Sequence, residues 1–450
     1  MIVLPDLHAA ADPAALADLA LALVGVEHVR LIVEVRSGHA VLPALAAAGP
    51  AMMDLGEAQW RDLTQYEAWC AAQASFGRLP AATQPESLPD LEDPASVCAA
   101  DPVRVTAAYE ADASEFGGLR AAWLRAGQSF LRDQVPAERA LVMLTLLGDS
   151  ADPRMEPHLT KLAVGASWQL VWRRVCGDIS PPWPGPVFAV AVGSGRLEGQ
   201  ALFSDHQGVL RTVMISDGAP AGRLARRVPQ ARMVSSLPDG AVWVLDSQGK
   251  LHTQQLPTAR DGSGLSDFLD IGPTPAEQAA AVLTDLLVQK PGTALVATGN
   301  IAAVADDIGA VHAAAIGTPG AVPRTALLHE GGVTALAAVD VPLGGSGQTE
   351  PILYSGGADG RVRVWAPEYE PMTFAVAERL SSVVALSCAL TEVGLVLAVG
   401  WADGLVEYHR LNTGEVRSFH PGPPVNGLAV TPGGHIVIGT DQAVFCLRPR

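Results

Sequence analysis

Charge is scarce in this chain: Asp, Glu, Lys and Arg make up 17% of 450 residues, against 49% hydrophobic residues. That balance excludes a disordered polymer, because ample apolar surface can be buried to offset chain entropy. Aromatic residues are also few, at 5%. Among the charges basic residues are the minority, and the formal net charge is −17. Such a surface repels phosphate backbones, so nucleic acid is not an expected partner unless a local basic patch overrides it. The densest basic stretch, residues 222–232, carries Arg223, Arg226, Arg227 and Arg232 and reads as a solvated loop between strands.

Apolar runs of the ~18 residues needed to cross a membrane are missing, and the first 26 residues lack a basic leader region, with Asp6, Asp12 and Asp18 interrupting them. The five cysteines (Cys70, Cys98, Cys176, Cys388, Cys446) are scattered, with no CxxC pair to build a zinc knuckle or disulfide framework. GxxxxGK[ST], GxGxxG and HExxH are absent as well, and His158, His206, His252 and His312 show no ligand spacing. The expectation is a cytoplasmic protein with no metal or cofactor. The preference for Ala, Gly and Arg over Lys matches usage in GC-rich bacterial genomes.

Glycine and proline, by contrast, are plentiful at 45 and 34 residues, as expected where many short strands meet many turns. The stretch LYSGGADGRVRVW, residues 353–365, sets alternating apolar strands on either side of a glycine-rich acidic turn. It recurs as VGWADGLVEYH (399–409), FSDHQGVLR (203–211), VLDSQGKLH (244–252), IGTDQAVFCLR (438–448) and, more faintly, ADDIGAVHA (305–313). The turn glycines 208, 249, 309, 360 and 404, with Ala443 in the sixth place, are spaced by 41, 60, 51, 44 and 39 residues. A period of ~40–45 residues is that of propeller blades. The long step of 60 is explained by a helical insertion over 274–292, with Thr274 as its cap, Pro275 at its start and Gly292 after its end.

Residues 327–365 resemble a WD40 repeat. The resemblance implies a buried hydrogen-bonded set of His329, Ser355, Asp359 and Trp365, structural rather than catalytic. The other copies depart from it: Val399 and His409 replace the serine and tryptophan in one, and the last keeps His420 and Asp441 without the tryptophan. Because the final repeat ends after three strands, residues 167–175 (SWQLVWRRV) are expected to supply the missing outer strand and close the ring. The fold class is therefore a mixed α/β N-terminal domain with additional helices (1–160), followed by an all-β WD40-like propeller (161–450). Six blades are expected, or seven if residues 264–331 hide another.

In the N-terminal part, MIVLPDL and VRLIVEV read as strands around a helix, followed by a helix over AVLPALAAAG and a short strand AMMDL, a β-α-β-α-β order. Three more helical segments are expected near 101–112, 114–134 and 136–148, with an acidic loop over 84–96. Ser37-Gly38-His39 resembles the histidine motif of caspase-like peptidases, but the next strand ends without a cysteine and Cys70 lies in a helix-like stretch. The dyad cannot be assembled, and the bland alternative places His39 at the exposed start of a helix. The expected function is a non-enzymatic protein–protein interaction scaffold of a bacterial cytoplasmic assembly. Its candidate partner contacts are Arg361, Tyr369, Glu370 and Trp401. The alternatives are a regulatory or sensor subunit of a multi-gene bacterial effector system and, further off, a degenerate caspase-like peptidase at His39.

Overall fold

The computed structural model describes residues 2–49 with several breaks, and residues 89–255 and 273–450 with breaks of at most three residues. The AMMDL segment, Ser37 and Cys70 lie outside the described residues. The chain divides into two compact units, residues 1–87 and 88–450.

In the first unit, strands Ile2–Leu4 and Leu31–Val33 pair in parallel, with helix Pro13–Val24 between them. Leu7, Ala17 and Val41 form its small core. A parallel pair requires such a crossover, and helix Leu42–Ala46 follows, with Pro43 in its first turn.

The second unit begins with helices Pro94–Ala99, Pro102–Ala111, Leu119–Ala126, Pro136–Leu146 and Met155–Leu162. The first starts inside the stretch expected as an acidic loop: Asp93 accepts from the Ala95 and Ser96 amides, and Pro94 takes the first helical position. Helix Pro136–Leu146 is buried from Ala140 through Leu146, and one core joins these helices to Trp168, Tyr408, Phe419 and Phe445 of the β-sheets. A domain boundary near 160 is therefore not where the contacts divide. Through that core the helices cover one flank of the ring.

Six small antiparallel sheets follow. Blade 1 comprises Val187–Val192, Gln200–Asp205, Leu210–Met214 and Pro220–Arg223. Blade 2 has three described strands, Ala231–Ser236, Ala241–Asp246 and Leu251–Gln255. Blade 3 runs over Ala294–Ala297, Ile301–Ala305, Ala310–Ala315 and Arg324–Leu327. Blade 4 is Val333–Pro342, Thr349–Gly357, Arg361–Trp365 and Ala377–Glu378. Blade 5 is Val383–Thr391, Gly394–Trp401, Val406–Arg410 and Glu415–Phe419. Blade 6 takes Val425–Val430, Ile436–Thr440 and Ala443–Pro449 from the C-terminus, and its fourth strand is Trp168–Val175.

The first strand of each blade packs on the first strands of both neighbours, so the ring is closed. Pairing at the seam runs from Ala443 opposite Val175 to Pro449 opposite Trp168. It removes a sheet edge that would otherwise lie open. The Trp168 indole is fully buried, donates to the Ser418 carbonyl at 3.0 Å and meets Tyr408 edge-on. The insertion forms helix Pro275–Leu287, held at its start by a reciprocal Thr274–Glu277 capping box. Its Ala276, Ala279, Ala280 and Leu283 fill a core with Trp243, Leu251 and Leu295, wedging the helix between blades 2 and 3.

Candidate functional site: the turn networks and the channel mouth

All five turn glycines, Gly208, Gly249, Gly309, Gly360 and Gly404, have φ between +73° and +97°. An L side chain pays for that conformation, which is why the turns select glycine. Three residues before the glycine, blades 1 to 3 carry Asp205, Asp246 and Asp306. Six residues after each aspartate, on the third strand, come Arg211, His252 and His312, at 2.8, 2.7 and 3.4 Å from its carboxylate. The other carboxylate oxygen of each accepts two turn amides, as Asp205 does from Gln207 and Val209. Burial works against the charge on Asp246 and Asp306, yet these hydrogen bonds outweigh it and hold both carboxyls below their usual range. This pairing is a network that the WD40 resemblance does not contain. Its signal was present in the sequence as a repeated Asp-x-x-Gly-x-x-[Arg/His].

Blade 4 fills the same position differently. Gly357 stands where the aspartate should be, and a Cβ there would run into the His329 imidazole and the Asp359 carboxylate. The imidazole enters from the loop before the blade and occupies the vacated space. His329 Nδ1 donates to Asp359 at 3.0 Å and its Nε2 accepts from the Ser355 hydroxyl at 2.9 Å, an assignment that follows from a neutral ring flanked by a carboxylate and a hydroxyl. Burial lowers the His329 pKa despite the pull of Asp359, in keeping with that neutral form. The expected fourth member stands apart: Trp365 Nε1 donates to the Tyr369 carbonyl at 2.9 Å, four residues on. In blade 5 the position belongs to Trp401, whose indole donates to Glu407 at 3.0 Å. In blade 6 it is Thr440, whose hydroxyl accepts the Gln442 and Ala443 amides.

The four candidate partner contacts do not share a surface. Trp401 is fully buried beneath the Arg379 guanidinium, so it packs the blade and presents no ring to a partner. Arg361 opens the third strand of blade 4, ion-paired to Glu378 at 3.1 Å. Tyr369 and Glu370 are exposed in the loop at that strand's opposite end. The four arginines of residues 222–232 are divided too. Arg223 ends the outermost strand of blade 1, Arg226 and Arg227 lie exposed in the loop, and Arg232 sits on the innermost strand of blade 2. His39 lies in the turn ahead of helix Leu42–Ala46, half-buried, after a strand that is itself part-exposed.

The first strands enclose a central channel with a cavity of about 570 Å³. Ala358 and Ala402 of the acidic turns, with Ser382 and Pro424 ahead of the first strands, also line it, so it opens on the face that carries those turns. Hydroxyl and amide groups stitch every pair of neighbouring blades. Ser194 donates to the Ser236 carbonyl, Ser235 to Ala297, Thr298 to Asp340, Thr334 to Val383, and Asn426 to Val187; Ser387 accepts the Val430 amide. These polar groups are committed to holding the ring.

In five of the six first strands the pairing register slips at the second residue. The residues passed over are Phe188, Arg232, Thr334, Val384 and Asn426, and all five line the channel. A bulge turns its extra residue out of the ladder and re-aims its side chain. Among the described residues, no group of three or more His, Cys, Asp or Glu side chains converges as metal ligands would.

No family model and no curated protein matches the chain. Among solved structures it is similar to the computationally designed protein Ika8, with 19% identity, 58% of this chain and 70% of that chain covered, and a TM-score of 0.34. It is also similar to U3-55K, with 11% identity, 62% and 98% coverage, and a TM-score of 0.40. At these scores neither likeness carries an argument, and the six-bladed ring rests on the strand pairing itself. None of the described helices is long and apolar enough to cross a membrane.

Proposed function

We propose that the chain is a WD40-like propeller acting as a non-enzymatic protein–protein interaction scaffold in a bacterial cytoplasmic assembly. The observation that carries this reading is the division of labour at the channel. Hydroxyls and amides that could activate a substrate, the bulged Thr334 and Asn426 among them, are tied into inter-blade hydrogen bonds, while the other three bulged side chains, Phe188, Arg232 and Val384, face the mouth. A rigid frame offering a few re-aimed side chains is the arrangement of a recognition surface. A catalytic site needs a convergent acid, base and nucleophile, and the reading assigns none to the channel. The His329–Ser355–Asp359 set supports kinship with WD40 repeats, and the acidic balance favours protein over nucleic acid.

Affinity purification of the tagged chain from its native cells tests this. The expected result is one stoichiometric protein partner that survives nuclease treatment and is lost when Phe188 and Val384 are replaced together by Asp. Recovery of the chain alone, or of a partner indifferent to those changes, goes against the reading.

A further inference from the structure

Arg232 is the one charged residue among the described residues lining the channel. It is exposed, and its guanidinium makes no hydrogen bond or ion pair among the described residues. The carboxylate across the ladder from the bulge, Asp246, does not neutralise it: both Asp246 oxygens are taken, one by His252 and the other by the Gln248 and Lys250 amides. Of the remaining turn carboxylates, Asp205 pairs with Arg211, Asp306 with His312 and Lys290, Asp359 with His329 and Asp403 with Arg379, while Asp441 accepts from the Asn426 amide. A chain of net charge −17 thus leaves an unmatched guanidinium at the entrance to its central cavity. At the equivalent bulge of the neighbouring blade stands Phe188, 39% exposed.

Resting on the scaffold reading, we infer that the channel mouth binds a protein segment carrying an acidic side chain beside an apolar one. The carboxylate pairs with Arg232, and the apolar neighbour lies on Phe188. A planar guanidinium with five donors suits a carboxylate, and its charge complements an acidic segment. A cationic segment would meet this guanidinium with no lining carboxylate to receive it.

The test uses random peptides displayed on phage and selected on the full chain. Binding of each recovered peptide is then measured by fluorescence anisotropy to wild type, Arg232→Gln and Arg232→Glu. Recovered sequences are expected to share Asp or Glu next to a large apolar residue. Arg232→Gln should weaken binding about tenfold or more. Replacing the peptide's acidic residue by Lys should abolish binding to wild type and restore it to Arg232→Glu. An exposed arginine is not needed for folding, and matching thermal melts verify that the variants are intact. Selection of peptides without an acidic residue, failure to select any, or equal affinity for wild type and Arg232→Gln overturns the inference. A native partner that co-purifies equally with Arg232→Glu overturns it while leaving the scaffold reading in place. Acidic peptides that bind through Arg232, with no native partner recovered, do the reverse.

Discussion

Replacing Asp359 by Ala removes the carboxylate to which His329 Nδ1 donates. The His329 side chain is completely buried and Asp359 is 10% exposed, so water does not readily replace the lost acceptor. The same change frees the Glu330 and Arg361 amides, but these lie at the surface turn and can find solvent. One orphaned buried donor therefore dominates, and the expected loss is about 1–3 kcal/mol. Asp359→Asn keeps an acceptor and should cost less. In a double-mutant cycle, Asp359→Ala and His329→Ala should be less destabilising together than the sum of the two, by about 0.5–3 kcal/mol. Urea denaturation followed by tryptophan fluorescence measures both quantities through shifts of the midpoint at constant slope.

The pH dependence adds an independent check on the same pair. Burial and its neighbours lower His329, so the unfolded chain takes up a proton that the fold resists. Stability is complete above the unfolded pKa of about 6.5 and falls as the pH drops towards the folded value. Burial opposes the charge on Asp359, but hydrogen bonds from His329 and the turn amides hold its carboxyl below the usual range. Its contribution is therefore complete above a pH of about 3.9 and is lost as the pH falls through the folded value. Asp359→Ala should remove its share of the lower step. An unchanged urea midpoint, or strict additivity with His329→Ala, would refute the assignment of these residues to one buried network.

Gly357→Ala places a methyl against the His329 ring and should destabilise blade 4 by about 1–3 kcal/mol, whereas the same change at Gly331, where a methyl meets open space, should cost less; thermal melts of the two compare them. Trp168→Ala empties the seam between the first and last segments and should cost about 3–5 kcal/mol, with Trp168→Phe retaining most of it. Equal stability of Trp168→Ala and wild type in urea would mean that the seam strand does not hold the ring. Asp306→Asn removes a buried carboxylate held below its usual range, and so should flatten the loss of stability as the pH falls below about 3.9; an unchanged acid limb would contradict its pairing with His312.

Much of the propeller was legible along the chain because its signals are local. A turn that needs positive φ selects glycine, strands alternate, and a helix start shows in Thr274-Pro275 and Glu277. Even the seam could be read, since a three-stranded last repeat demands a fourth strand and residues 168–175 are the apolar alternating run that precedes the ring. Trp401 was misplaced for the opposite reason. In sequence it sits beside a turn like a surface aromatic, and only the pairing of its strand with residues 383–391 shows that its ring points into the core. The separation of Trp365 from the His329 set likewise depends on where the Tyr369 carbonyl lies, which spacing does not encode.

By itself, the order of residues determined the repeat period, the turns, the strands they join and the acid that each turn carries, because these follow from backbone dihedrals and side-chain alternation within a dozen positions. The tertiary structure alone decided that the helices of 94–162 share a core with blades 5 and 6. It also decided that an imidazole fills the space left by Gly357, that five first strands bulge towards the channel, and that Arg232 has no counter-charge among the described residues. Burial and charge pairing are set by segments brought together from far along the chain, and no local pattern carries that information.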